Sequence, residues 1–243
     1  MSLRGLFRGS ARFLLVAIGA LVLLTGPHAA SAFPPYRSTD ADTAHPWTLE
    51  SRLGLVQLER EGNDTAYSSP LVRLNVGLPK RVEILAEFEY AADEGEVADA
   101  ALGMKWIPIM RRISVGVENL LLLPVADRTH GAGVESLLLA TLWQPRFQVH
   151  VNAGGFYDAR PDESESGWKA GAIIEFLSLG RVRPGLEVFA KRTEHDHEEV
   201  VAGPGVIIDF GRFDVRAGVR GGLTDAAPDL TFTLWLTTKL PFR

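Results

Sequence analysis

Hydrophobic and polar residues alternate with a period of two from Trp47 to the C-terminus. Between residues 82 and 90 every second position is apolar, and Glu83, Glu87 and Glu89 fill positions between them. This pattern is typical of a β-strand with one apolar and one polar face. It predicts twelve strands near residues 47–61, 70–78, 82–90, 98–106, 113–123, 134–143, 146–157, 167–177, 182–191, 200–210, 213–220 and 229–242. No internal stretch has a helical period, so we expect no helix after residue 32.

Short and long connections alternate between these strands. The short connections fall at 79–80, 110–112, 144–145, 178–180 and 211–212, and the long ones at 62–68, 91–97, 126–133, 158–166, 192–199 and 221–228. An even number of strands of about ten residues, with short turns at one end and longer loops at the other, is typical of a transmembrane barrel. The pattern therefore predicts an all-β fold, an antiparallel up-and-down transmembrane β-barrel of about twelve strands.

The alternation does not by itself show which face points outward. In a lipocalin-like periplasmic binder the apolar face would line the interior, whereas in an outer-membrane barrel it faces lipid. Small residues such as Ala170 and Ala172 on the apolar face would fill a core poorly, and the polar face is densely charged. Aromatic residues also lie near strand ends, as in an interfacial girdle: Trp47, Tyr90, Trp106, Phe147, Trp168, Phe176, Phe210, Phe213 and Phe242. These features favour lipid outside.

The N-terminus has the layout of a cleaved secretory signal. Arg4, Arg8 and Arg12 precede an apolar stretch at 13–24, which is too short for a membrane anchor, and small residues follow at 30–32. We expect residues 1–32 to be a signal peptide and the mature chain to begin at Phe33. Residues 33–46 hold three Pro and no apolar period, and are predicted to form an extended periplasmic leader before a barrel at 47–243.

Composition removes several classes of function. The 243 residues include no Cys, which excludes disulfides, thiolate metal sites and a Cys nucleophile. Acidic residues outnumber Lys and Arg by 30 to 25, and no basic cluster is interleaved with aromatics, so nucleic acid is not an expected partner. We expect no cofactor.

The polar face supplies the candidate functional residues, which a barrel would turn toward its lumen. They carry both charge signs, so they either pair across a filled lumen or line a narrow polar channel. The lumen-lining candidates are Glu50, Arg52, Arg73, Glu83, Glu87, Lys105, Glu118, His150, Lys169, Glu175, Arg183, Glu187, Lys191, Arg216 and Lys239.

Several positions on the lumen-facing side of the strands hold apolar residues, and an open aqueous porin would have fewer apolar residues in its lumen. They are Leu85, Leu137, Leu139, Ile173, Phe189 and Ile207. They favour a narrow, partly apolar path or a plug over a wide ion channel.

The sequence gives little evidence for a catalytic or metal-binding site. His150 and Asn152 share the lumen face, but no Ser lies two positions from the His to serve as nucleophile, so we expect no enzyme activity. The segment 195–199 (HDHEE) contains imidazole and carboxylate ligands, and the acidic loops containing Asp93, Glu94 and Glu163 give a negative rim. Whether these loops bind divalent ions stays open.

Several stretches resemble a known family. They are residues 35–43, 71–78, 82–84, 102–106 and 150–154, and they are similar to outer-membrane proteins described as transporters of the phenol-degradation meta-pathway. The resemblance implies a Gram-negative outer-membrane barrel that passes small, often hydrophobic, organic molecules and has outer-membrane lipid as a partner. It brings no catalytic motif and no oligomeric state.

The sequence therefore leaves three possible functions. The first is a transporter or narrow channel for small hydrophobic or aromatic molecules, with Trp47 and Phe242 at the periplasmic rim and the six long loops outside. The second is a structural or surface-interaction barrel that acts through its acidic loops. The third is the lipocalin-like binder.

Overall fold

Twelve antiparallel strands form a closed barrel. The computed structural model describes residues 35–62, 64–91, 96–125, 131–160, 164–177, 179–194 and 197–242, so the predicted signal peptide lies outside the described residues. The strands are β1 (Thr48–Glu61), β2 (Asp64–Leu78), β3 (Val82–Ala91), β4 (Glu96–Ile109), β5 (Ile113–Leu123), β6 (Gly133–Trp143), β7 (Phe147–Asp158), β8 (Glu165–Phe176), β9 (Val182–Thr193), β10 (Glu199–Asp209), β11 (Phe213–Gly222) and β12 (Leu230–Pro241).

Each strand pairs with its neighbours in sequence, and β1 pairs with β12 to close the sheet. The predicted fold class is confirmed. Among the described residues, no helix is long and apolar enough to cross a membrane.

The connections differ between the two ends of the barrel. We call the end with the connections 79–81, 110–112, 144–146, 177–181 and 210–212 the turn end, and the opposite end the loop end. The predicted long loop at 62–68 is wrong, because β2 begins at Asp64 and leaves only two residues after β1. Strand β2 continues past Pro70, which has no backbone N–H to donate to a neighbouring strand. The pairing of β2 with β3 shifts register between Ser68 and Leu71, and this shift accommodates the proline.

The exterior of the barrel is apolar. Leu102, Leu138 and Leu186 are about half or more exposed, at 49%, 68% and 53%, while residues next to each of them on the strand, such as Leu137 and Glu187, are buried. Trp47 and Phe242 contact edge to face at the turn end, with ring centroids 6.3 Å apart. A water-soluble barrel would bury these faces, so the lipocalin-like alternative, which needs the apolar face inside, is wrong for this chain.

The interior is not empty, because residues 35–44 lie inside the barrel and residues 45–46 lead from them to β1. Ser38, Thr39, Asp40 and Ala41 are all at most 1% exposed. The expectation that this segment forms a periplasmic leader outside the barrel therefore needs correction for 35–44. We call residues 35–46 the lumen segment. It turns back at Pro46–Trp47, where the N–H of Thr48 donates to the carbonyl of His45 (3.0 Å), and runs directly into β1.

Candidate functional site

The lumen segment is held at its first residues by β9, β11 and β12. The carbonyl of Pro35 accepts hydrogen bonds from the Arg220 guanidinium and from Thr233 Oγ1. The backbone N–H groups of Arg37 and Ser38 donate to the two carboxylate oxygens of Glu187, at 3.1 and 2.7 Å. A buried charge on the wall thus satisfies two backbone donors that would otherwise lack partners away from water.

The middle of the lumen segment rests on Lys105 of β4. The Lys105 ammonium donates to Thr39 Oγ1 at 3.0 Å and to Asp40 Oδ1 at 3.2 Å, and it lies 3.4 Å from Glu118 Oε2. From β7, the side-chain amide of Asn152 donates to the Thr39 carbonyl at 2.9 Å. All three donors of Lys105 are therefore engaged in a site that water barely reaches.

The last part of the lumen segment is tied to β6 and β3. The Ala41 N–H donates to Thr141 Oγ1 at 2.8 Å, and the Ala44 N–H donates to the Glu83 carboxylate. The segment thus follows the inner wall from β12 to β3, and its anchors are spread over most of the barrel circumference.

Apolar contacts complete the seat of the lumen segment. Tyr36 packs with Ile173 and Ile207, and Ala41 packs in a cluster with Leu139. Ile107 and Leu137 belong to that second cluster as well. The guanidinium of Arg37 also lies 5.3 Å from the ring centroid of Phe189, so five of the six apolar positions that the sequence assigns to lumen parity contact the lumen segment or join a cluster that contains part of it.

Glycines on the strands make room for the lumen segment. A Cβ at Gly171 would overlap Ser38, a Cβ at Gly77 would overlap the carbonyls of Ala44 and His45, and in each case the separation would be under 3.0 Å. Similar overlaps with Pro35 or Tyr36 arise at Gly185, Gly205 and Gly218. Because real Cβ atoms do not approach this closely, these glycines form a groove that backbone atoms of the lumen segment occupy at Gly77 and that its side chains occupy elsewhere.

Charged side chains fill much of the remaining lumen, and most of them are paired. Arg183 Nη1 lies 2.7 Å from Glu175 Oε1, and Arg52 Nη2 lies 2.9 Å from Glu50 Oε2. Arg73 contacts both Glu87 and Glu118, and Asp214 contacts both Arg216 and Lys239. Ion pairing is thus observed for most of the lumen-lining candidates, and their role in lining a channel stays a prediction.

The predicted lumen residues fall into two groups. Eleven are at most 5% exposed: Glu50, Arg52, Arg73, Glu83, Lys105, Glu118, His150, Glu175, Arg183, Glu187 and Arg216. Glu87, Lys169, Lys191 and Lys239 are partly exposed inside the barrel. His150 is fully buried and its Nδ1 lies 3.0 Å from Thr141 Oγ1, so it belongs to the same polar network as the lumen segment.

Sequence reasoning missed several lumen residues. Asp214 and Glu135 are buried partners of Arg216 and Lys169, and both share the parity of residues that were identified on their strands. Each lies two residues from a position that the sequence had already assigned to the lumen, so the alternating pattern could have identified both. No period in residues 35–46 indicated that this segment enters the barrel.

A cavity of about 380 Å³ opens above the lumen segment toward the loop end, and we call it the vestibule. Pro35, Tyr36 and Arg37 form part of its floor. One side of its wall is apolar, with Leu120, Leu122, Leu137, Ala100 and Ala101. The other side carries Phe156, Lys169 and Lys191. Carboxylates line the vestibule as well, among them Glu87, Glu118, Glu135 and Asp158, so an apolar side stands opposite a charged side that carries both signs.

The acidic loops give little support for a metal site. Among the described residues, no group of three or more His, Asp and Glu side chains is placed to hold a metal ion. Glu199 is ion-paired with Arg37, and Asp158 binds Arg160 with a 2.7 Å contact. His195, Asp196, Asp93, Glu94 and Glu163, which the sequence offered as ligands, lie outside the described residues.

The chain resembles solved outer-membrane barrels. The COG4313 outer membrane channel from Pseudomonas putida F1 is 12% identical and has a TM-score of 0.60, with 90% of this chain and 100% of that chain covered. A porin structure refined at 1.8 Å is 8% identical (TM-score 0.44; 79% of this chain and 99% of that chain). A loop L8 deletion mutant of OmpT, an outer membrane protein of Vibrio cholerae, is 10% identical (TM-score 0.32; 82% and 100%).

No family model matches the chain, and no curated protein matches it. The resemblance to transporters of the phenol-degradation meta-pathway therefore stays a prediction. The similarity to the COG4313 channel concerns the fold. Together with the apolar exterior, it identifies this chain as an outer-membrane β-barrel with a channel-like fold.

Proposed function

We propose that this protein is an outer-membrane channel for small, largely apolar organic molecules, and that its own lumen segment closes the path in this state. The observation that carries the proposal is the arrangement along the barrel axis. A half-apolar vestibule of about 380 Å³ stands directly above a segment that is seated in the wall by hydrogen bonds and a glycine groove. Passage then requires the segment to shift.

The character of the lumen supports a selective path. A wide aqueous pore is lined by hydrated polar groups, whereas Leu85, Leu120 and Leu122 form an apolar cluster on the inner wall here. Such a surface favours solutes that bury hydrocarbon. The resemblance to the phenol-degradation transporters points to the same class of solute.

The anchors of the lumen segment are of a kind that permits movement as a unit. They are hydrogen bonds and ion pairs from side chains to one short stretch of backbone, such as Glu187 to Arg37 and Ser38. No disulfide fixes the segment, because the chain has no Cys. Release of the segment breaks these side-chain contacts and leaves the backbone hydrogen bonds between the strands intact.

The test is reconstitution of the mature protein in planar bilayers and in liposomes. We expect small or intermittent ion conductance together with uptake of neutral and weakly acidic aromatic solutes into liposomes. Large, steady conductance of the porin type would contradict the narrow path. Absence of both conductance and uptake would contradict a channel and favour the structural or surface-interaction role.

A further inference from the structure

Two lysines face each other on the wall of the vestibule. Lys169 of β8 and Lys191 of β9 are direct partners in the strand register, and both line the cavity. Like charges directly opposite on one face of a sheet destabilise it. The two ammonium groups therefore need negative partners, either on the wall or in a ligand.

The nearby carboxylates neutralise only part of this charge. Glu135 is ion-paired with Lys169. Glu199, the register partner of Lys191 on β10, is ion-paired with Arg37 of the lumen segment. Asp158 also lines the cavity and interacts electrostatically with Lys191, but within the described part of the chain no carboxylate forms an ion pair with Lys191, so its ammonium group can take a ligand as partner.

An aromatic ring lies between the two ammonium groups and the apolar wall. Lys169 Nζ and Lys191 Nζ are 5.4 and 5.2 Å from the ring centroid of Phe156, within the range of cation–π attraction. Phe156 is the register partner of Glu135, and Glu135 is the partner of Leu120. Across β5 to β9 the vestibule wall therefore changes from apolar through aromatic to cationic.

We infer that the vestibule binds small organic carboxylates with an apolar body, such as aromatic acids. The carboxylate lies between the Lys169 and Lys191 ammonium groups, where charge-assisted hydrogen bonds are strongest. The hydrocarbon part lies on Phe156 and against Leu120 and Leu137. The inference rests on the proposed channel function and specifies its solute class, because a neutral molecule of the same shape leaves Lys191 without an ion-pair partner.

Equilibrium binding to the mature protein in detergent tests the inference without transport. Benzoate and its neutral analogue benzamide are titrated by calorimetry at low salt, because screening weakens charge contacts. We expect benzoate to bind at least about tenfold more tightly than benzamide, a ratio that one charge-assisted contact provides. Lys191→Met is expected to abolish this preference, while Lys191→Arg retains it.

Arg192→Met is the matched control. Arg192 is the next residue on β9, points to the exterior and carries the same charge, so its loss changes net charge equally and leaves the vestibule intact. Heat-modifiable migration on gels shows that each variant is folded. Equal binding of benzoate and benzamide, or an unchanged preference in Lys191→Met, would overturn the inference.

Uptake by liposomes separates the two proposals. Benzoate preference in the binding assay without uptake would support the binding site and contradict the channel. Uptake of aromatic solutes by a protein that binds benzoate and benzamide alike would support the channel and overturn the carboxylate site.

Discussion

The same alternating sequence pattern places charged residues in both halves of the lumen, but the charges have different surroundings in the two halves. Toward the turn end, inward charges such as Arg216 and Asp214 are fully buried and paired, and the lumen segment crosses them. Toward the loop end, Lys169 and Lys191 are partly exposed and stand beside leucines around a cavity. Charges with buried partners give the barrel a closed floor, and charges left facing a cavity give it a means of recognition.

The difference has an energetic basis. A buried charge whose partner is removed costs several kcal/mol, whereas a partly exposed charge is solvated and screened and its loss costs little stability. Substitutions in the turn-end half should therefore change stability and the position of the lumen segment. Substitutions in the vestibule should change ligand binding.

The largest effect is expected for Lys105→Met. The substitution removes the shared partner of Asp40 and Glu118 and leaves two buried carboxylates without it, so we expect a loss of about 3–5 kcal/mol in the free energy of unfolding. Urea unfolding in detergent, followed by tryptophan fluorescence, measures it. Lys191→Met is the comparison variant, and a loss of equal size there would remove the distinction between the halves.

The next effect is expected for Leu85→Ala. Leu85 is 1% exposed and packs with Ala101, Leu120 and Leu122, so its truncation should cost about 2–3 kcal/mol, the lower part of the range for buried Leu. The lumen segment does not contribute to this cluster, so single-channel conductance should stay that of the unsubstituted protein. A rise in conductance would show that the two halves are coupled through the leucines.

Gly171→Val should open the channel at a smaller cost in stability. A valine side chain overlaps Ser38 and displaces the lumen segment, with an overpacking cost of about 1–3 kcal/mol. We expect higher and steadier conductance in planar bilayers. Ala172→Val on the exposed face of the same strand is the control. Unchanged conductance in Gly171→Val would mean that the segment does not close the path.

The smallest effect is expected for Asp158→Asn. The Asp158–Arg160 pair stands at the loop end and is partly exposed, so its loss should lower stability by about 0–1 kcal/mol. The same urea series measures it. A loss as large as that of Lys105→Met would show that the rim is as tightly organised as the floor.

The alternation of apolar and polar positions made the strands of the barrel predictable from sequence. The alternation around Glu83, Glu87 and Glu89 is a local property of one strand, and the short connections fix which strands are neighbours. The number of strands, their order and the inward direction of residues such as Arg52 follow from these two facts.

The position of the lumen segment could not be predicted from the alternation or from the short connections. Its position depends on partners far away in sequence: Arg37 contacts Glu187 and Glu199, and Pro35 contacts Arg220. Residues 35–46 have no repeating pattern of their own because each one meets a different strand. The apolar lumen positions Ile173 and Leu139 were the available signal, since apolar residues facing a polar lumen indicated a narrow apolar path or something that covers them.

We expect the circumferential course of the lumen segment to set the order of events during assembly. Its anchors, from Glu83 on β3 to Thr233 on β12, are brought around one axis only when nearly the whole sheet has curled, and the β1–β12 seam is the pairing that completes the ring. Before that moment Glu187 and Lys105 have only water in place of the segment's donors and acceptors. The first residues of the described chain are thus the last to find their positions.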